Sequence, residues 1–245
     1  SGVKNLNEYW HDVRFGKPVK HIEDVINICR MVIKESHLNP IKYEGSEKSI
    51  SLVGFDRPFT PKEASIPIYM GSVGPFMTRK CGEIADGWIS HELCSPQYLK
   101  SNIIPKLQEG ASDRKIPKIV VSGLTVVDED EKKAKRIAAG TVAFYASVKT
   151  YDEFFSTHGF GQEASRIREL FKNNDIKGMI ENVPDEMVDV FAIAGNKEFV
   201  TESIKRYENI VDEIKLTPPT HFVTEEETRF AQKSILSIVN EGGIN

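Results

Sequence analysis

Apolar residues recur at helical spacing over His21–Lys34, where Ile22, Val25, Ile26, Cys29, Val32 and Ile33 crowd one broad face, and the period predicts an amphipathic helix. From Asn39 to Thr60 that period is lost. Gly, Ser, Lys, Pro and aromatic residues take over, which predicts an irregular excursion with one short extended piece at Ile50–Val53. Ile66–Met70 is a short apolar run, read as a strand. It is closed by Gly71-Ser72-Val73-Gly74-Pro75 and followed by a helical run, Phe76–Ile84. Pro75 suits the first helical turn, where its missing N–H would have no partner in any case.

Ala85-Asp86-Gly87 turns the chain into a second apolar strand, Trp88–Ser90, and a helix is predicted from about Gln97 to Glu109. Lys118–Val127 is strongly β-branched and reads as a strand, with Asp128 as N-cap of a long helix through Tyr145. Tyr151–Val190 alternates short helical patterns with turns. Phe191–Gly195 is a short apolar piece, Lys197–Asn209 an amphipathic helix, Asp212–Leu216 a strand, and Glu225–Val239 a closing helix. Alternation of this kind predicts βαβ units and a parallel sheet. Only three or four strands are convincing, which is few for a sheet protein of 245 residues.

Charge narrows the functional classes. Lys and Arg total 32 against 36 Asp and Glu, a formal net charge of −4, so no general basic face exists for nucleic acid. No apolar run approaches the ~20 residues of a membrane helix. Cys29, Cys81 and Cys94 form neither a disulfide framework nor a C-x-x-C pair; Cys81 and Cys94 read as small buried apolar residues. With no signal-peptide pattern and no N-x-S/T acceptor, a cytoplasmic address is expected.

Two places suit chemistry. In Gly71-Ser72-Val73-Gly74-Pro75, two glycines beside a small hydroxyl let a ligand approach backbone N–H groups at a helix start, a geometry suited to phosphate; the same composition also suits an ordinary strand-to-helix connection. Neither the dinucleotide fingerprint nor the P-loop pattern is met. His91-Glu92 follows the second strand at its carboxyl end, where α/β proteins place their sites. The pair suits a proton donor or ligand contact, or equally a solvated loop. Position 95 is Ser, so no H-E-x-x-H is present and no metal is expected. His158, in a Gly-rich turn, suits a helix cap or a pocket wall.

The block Ile66–Pro75 followed by Gly82-Glu83-Ile84-Ala85-Asp86-Gly87 resembles the luciferase-like flavin and deazaflavin oxidoreductases, and most of all the coenzyme F420-dependent methylenetetrahydromethanopterin reductases. Lys17-Pro18-Val19, Val142–Tyr145, His158-Gly159-Phe160 and Asp185–Phe191 agree in order, so the likeness runs from about residue 1 to the C-terminal helix. The resemblance implies a (β/α)8 TIM barrel to which this chain supplies roughly strands five to eight as part of one domain, Ser1–Lys4 closing the fourth strand. About a hundred residues carrying strands one to four would precede it, in keeping with the strand count and the absent initiator Met.

In such enzymes the deazaflavin lies at the carboxyl ends of the strands. The resemblance therefore assigns Gly71, Ser72 and Val73 to cofactor binding, with Ser90 at the end of strand six. The Ser72 and Val73 N–H groups and the Ser72 hydroxyl are expected to hold an anionic part of the cofactor. The implied activity is hydride transfer between reduced F420 and a pterin carrying a one-carbon group; an FMN-dependent monooxygenase and a flavin-binding barrel without turnover are the alternatives. A homo-oligomer is expected. Residues nearest the reacting ring are not assigned.

Overall fold

The computed structural model describes residues 4–38, 40–55, 57–60 and 66–240. A π-helical turn, Leu6–Trp10, precedes α1 (Pro18–Glu35), β1 (Ile41–Glu44), β2 (Ser49–Leu52), β3 (Tyr69–Gly71), α2 (Pro75–Ile84) and β4 (Gly87–Ile89). Then come α3 (Pro96–Tyr98), a second π-helical turn (Leu99–Ile103), α4 (Ile104–Ala111), β5 (Lys118–Val127), α5 (Glu131–Ala146) and a 3-10 turn (Lys149–Tyr151). Four short helices follow: α6 (Asp152–Thr157), α7 (Gly161–Lys172), α8 (Ile176–Glu181) and α9 (Asp185–Phe191). The chain closes with β6 (Ile193–Gly195), α10 (Lys197–Lys205), β7 (Glu213–Thr217) and α11 (Glu225–Asn240).

The chain forms two compact units, Ser1–Ile89 with Ile103–Ile119, and Ser90–Asn102 with Val120–Asn245. In the first, β3 and β4 pair in parallel, Tyr69 opposite Gly87 and Gly71 opposite Ile89. Helix α2 connects them as a βαβ unit must, and α4 crosses α2 so closely that a Cβ on Gly82 would overlap the Leu107 carbonyl and one on Gly110 the Arg79 carbonyl. Met70, Cys81, Trp88 and Leu107 fill the core between sheet and helices. In the second unit β5 is the organising strand: β7 pairs with it in parallel from Val120 to Leu124, and β6 from Thr125 to Val127. Every β5 residue after Lys118 is buried, the near-continuous apolar run expected of a parallel strand covered on both faces. Phe154, Phe155, Phe191, Met187 and Ile193 build the core beneath α5.

Several expectations are corrected. The excursion after Asn39 contains an antiparallel hairpin, Ile41 opposite Leu52 and Glu44 opposite Ser49. Its loop is held from outside: buried Asp24 on α1 accepts the N–H groups of Glu47 at 2.7 Å and Lys48 at 3.0 Å and the Tyr43 hydroxyl at 3.0 Å. No local turn signal reports such a contact. The N-cap of α5 is Asp130, whose side chain accepts the Lys133 N–H; Asp128 instead accepts the Asp130 N–H and pairs with the Lys133 ammonium at 2.6 Å. The first strand of the βαβ unit is confined to 69–71, and the last helix but one ends at Lys205 rather than Asn209. Ser1–Val3 lie outside the described residues, and Lys4 is helical rather than the end of a strand.

Candidate functional site

In the first unit, β3 delivers the chain into the 71–75 turn and α2 starts at Pro75 with Gly74 as N-cap. The Phe76 and Met77 N–H groups, in the first helical turn, have no intrahelical acceptor. Neither glycine is required by its own surroundings. A Cβ on Gly74 would meet nothing within 4 Å, one on Gly71 would only touch Ile89 at 3.9 Å, and Gly74 has φ −74°, open to any residue. The turn is thus a bare backbone cradle in front of a helix start.

The Ser72 hydroxyl does not line that cradle. It is buried, accepts the Trp88 indole N–H at 2.9 Å and shares a hydrogen bond with the Thr78 hydroxyl at 3.0 Å, while the Ser72 carbonyl takes a second contact from the indole at 3.2 Å. The side chain bolts the turn to β4 and α2, leaving ligand contact to the backbone. The Ala85-Asp86-Gly87 motif is likewise architectural. Asp86 accepts the Ile68 N–H and the Arg30 guanidinium, each at 2.9 Å. Burial alone would raise its carboxyl pKa, but Ile68, Arg30 and Arg114 together hold it below the ordinary value. A Cβ on Gly87 would overlap the Tyr69 ring. Arg114 donates to the carbonyls of Gly82, Glu83 and Ala85, capping the end of α2.

In the second unit, Ser90 opens the segment that leaves the sheet. Its hydroxyl donates to the His91 carbonyl at 2.7 Å and accepts the Ser122 N–H at 2.8 Å, replacing a ladder acceptor where the strand stops. Both Ser90 and Ser72 therefore spend their hydroxyls on the fold. Next in the chain, the His91 ring stacks on Tyr145 at 5.5 Å between centroids and meets Tyr151 and Phe154 edge-on at 5.0 and 5.1 Å. Enclosure by these rings pushes its pKa down to about 3, so the imidazole is neutral, and with Nδ1 accepting the Leu93 N–H at 3.2 Å its remaining proton is on Nε2.

Glu92 lies beside this cluster. Its carbonyl accepts the Leu124 N–H at 3.0 Å, which sets it against β5 at the level where Leu124 pairs with Thr217 of β7. One carboxyl oxygen, Oε2, is buried with no hydrogen-bond partner. Burial raises the carboxyl pKa, opposed only by the Lys215 ammonium on β7. The Tyr145 hydroxyl contacts the Glu92 backbone, and burial raises the tyrosine pKa beyond its ordinary range. His158 proves to be a clamp: Nδ1 meets the Phe154 carbonyl at 2.8 Å and Nε2 the Ser95 hydroxyl at 2.7 Å, and Ser95 in turn caps Tyr98. Tyr145 and Tyr151 are given no site role by the sequence because their partner His91 lies more than fifty residues away. Cys81 and Cys94 are buried, and burial raises both thiols, Cys81 to about 12. Among the described residues no cluster of His, Cys, Asp and Glu suits a metal, and no helix is long and apolar enough to cross a membrane.

Comparison with known proteins adds lineage to this geometry. A family model described as luciferase-like monooxygenase matches residues 1–213. The 5,10-methylenetetrahydromethanopterin reductase of Archaeoglobus fulgidus is 29% identical over 201 residues, 78% of this chain and 58% of the relative. The enzyme of the same name from Methanopyrus kandleri is 30% identical over 171 residues, 68% of this chain and 48% of the relative. The chain thus spans about half the length of these curated relatives. Among solved structures, the coenzyme F420-dependent tetrahydromethanopterin reductase from Methanopyrus kandleri superposes with a TM-score of 0.73 at 24% identity, covering 90% of this chain and 63% of that one. A type II Baeyer-Villiger monooxygenase from Pseudomonas putida, solved with FMN, shares the fold at a TM-score of 0.57 and 15% identity, covering 94% of this chain and 65% of that one.

Proposed function

The chain belongs to the luciferase-like monooxygenase family, and from that premise we propose that it is part of an F420-dependent oxidoreductase that transfers a hydride between reduced F420 and a methylene-tetrahydropterin C1 carrier. The observation that carries the choice within the family is the 29–30% identity to two methylenetetrahydromethanopterin reductases over most of this chain. We read β3, β4, β5 and β7 as the fifth to eighth strands of an eight-stranded barrel, the first four lying in a preceding half.

The 71–75 turn fits the cofactor. Gly71 and Gly74 leave open the space that side chains would fill, and the α2 start contributes a positive dipole end worth ~0.3–1 kcal/mol toward an anionic group. Gly71, Ser72 and Val73 would hold the tail through backbone atoms, and Ser90 would hold the exit of its strand in place. When bound, F420 supplies the hydride; the protein orients, excludes water and manages the proton. Favouring FMN instead would be the fold relatives solved with that cofactor, and the test separates the two. F420 and FMN are titrated into the full-length protein and into Gly71→Val and Gly74→Val variants. F420 binding in the wild type, weakened tenfold or more (~1.4 kcal/mol) in a folded variant, is the expected outcome. Preference for FMN, or unchanged affinity in both variants, would overturn the assignment.

A further inference from the structure

We propose that the groove between α5 and the α8–α9 corner is a second ligand site, one that takes a small amphipathic carboxylate. The site is independent of the F420 reading: all of its residues belong to the second unit, and none to the 71–75 cradle. Its cavity of about 420 Å³ is within the range of small-molecule sites. Each wall follows helical spacing. Lys132, Lys135, Arg136 and Ala139 stand at i, i+3, i+4 and i+7 on α5 and so share one face. Lys177, Ile180 and Glu181 do the same on α8, and Val183, Asp185 and Val188 close the groove around the start of α9. The floor is apolar, with Ala139, Val183 and Val188 buried and Ile180 half-buried.

The rim is basic in a chain of net charge −4, since four cations meet only two carboxylates there. Lys135 is fixed from outside the groove, by Asp189 at 2.8 Å and Glu131 at 3.0 Å. Lys177 reaches Glu181 only at 3.6 Å. Lys132 and Arg136 have no carboxylate within 4.0 Å among the described residues, and Arg136 acts only at longer range on Glu227 of α11. Other helix-surface cations find a carboxylate three or four positions away, as Lys106 does in Glu109 at 2.6 Å, Lys205 in Glu202 at 2.8 Å and Arg229 in Glu225 at 2.7 Å. For Arg136 those positions hold Lys132, Lys133, Ala139 and Gly140. Lys132 and Arg136 at i,i+4 repel each other, and Lys132 in the first turn also opposes the helix dipole. An anion seated between them removes both penalties.

Head and body of the ligand follow from these two features. Arg136 presents a planar fork that a carboxylate matches with two parallel hydrogen bonds, and Lys132 adds a point charge beside it. Glu181 and Asp185 across the groove repel a second negative charge, which favours a singly charged head over a phosphate. Ala139, Ile180, Val183 and Val188 take an aliphatic body out of water.

The test is a calorimetric titration of the full-length protein with octanoate, below its micellar concentration, beside octanol and octyl phosphate. Saturable one-to-one binding of octanoate is expected, ~10-fold or more tighter than that of octanol. A Lys132→Gln/Arg136→Gln double variant should weaken octanoate binding ~10-fold or more, and Ile180→Asp should weaken it as well. Lys132 and Arg136 are exposed, so the double variant should keep the wild-type fold by circular dichroism. Unchanged octanoate affinity in the folded double variant, equal affinity for octanol, or tighter binding of octyl phosphate overturns the proposal. So does a wild type that shows no saturable binding of octanoate. Should Ile180→Asp not fold, the double variant decides alone; should neither fold, the wild-type preference for octanoate over octanol and octyl phosphate decides.

Discussion

Ser72 shows how a residue type that invites a ligand can be claimed by the fold. Its hydroxyl satisfies the buried Trp88 indole, so Ser72→Ala leaves that N–H with only the longer contact to the Ser72 carbonyl. We expect ~1–2 kcal/mol lower stability in urea denaturation, and F420 affinity within about threefold of wild type. His91 makes a pH prediction. Its pKa is depressed from 6.5 to about 3 by enclosure, so the folded state stays neutral while the unfolded state takes up a proton. Stability contributed by keeping it neutral is present above about pH 6.5 and is lost progressively as pH falls toward 3. Imidazole NMR signals of His91 should therefore stay constant between about pH 5 and 8. A titration midpoint near 6.5 would refute the enclosure.

At the scale of elements, the crossing of α2 and α4 depends on two glycines, each facing the other helix's backbone. Gly110→Ala forces the Arg79 carbonyl aside and should cost ~1–3 kcal/mol, seen as a lower melting temperature. Gly74→Ala, with open space around it, should change stability by no more than about 0.5 kcal/mol. The sequence distinguished poorly between these glycines, since a pattern of residue types carries no distances. What it did reveal was whatever is local and periodic: β5 with its β-branched run, α1 from its apolar face, and Pro75 at a helix start. It missed the hairpin because Asp24, 19 to 24 residues from the groups it holds, supplies the closure. It placed His91-Glu92 at a strand end correctly but not the tyrosines that enclose them, for the same reason of sequence distance.

Over the whole molecule, one part of the block that carried the family likeness is architectural and another part is the proposed cofactor cradle. Asp86 and Gly87 fix the joint of Ile68, α1 and β4, and so report ancestry through architecture. Asp86→Ala removes the acceptor of both the Ile68 N–H and Arg30, and should cost ~1–2 kcal/mol in the same denaturation assay. The cradle at 71–75, in the same block, follows the carboxyl end of β3 and is the proposed cofactor contact. The most direct test of the account is a single-turnover reaction in which full-length protein, reduced F420 and a methylene-tetrahydropterin are mixed without oxygen and the absorbance of oxidised deazaflavin is followed. The account predicts that it appears only when the pterin is present, in a one-to-one ratio with methyl-pterin formed. No oxidation with pterin present, in protein shown to bind F420, would contradict it.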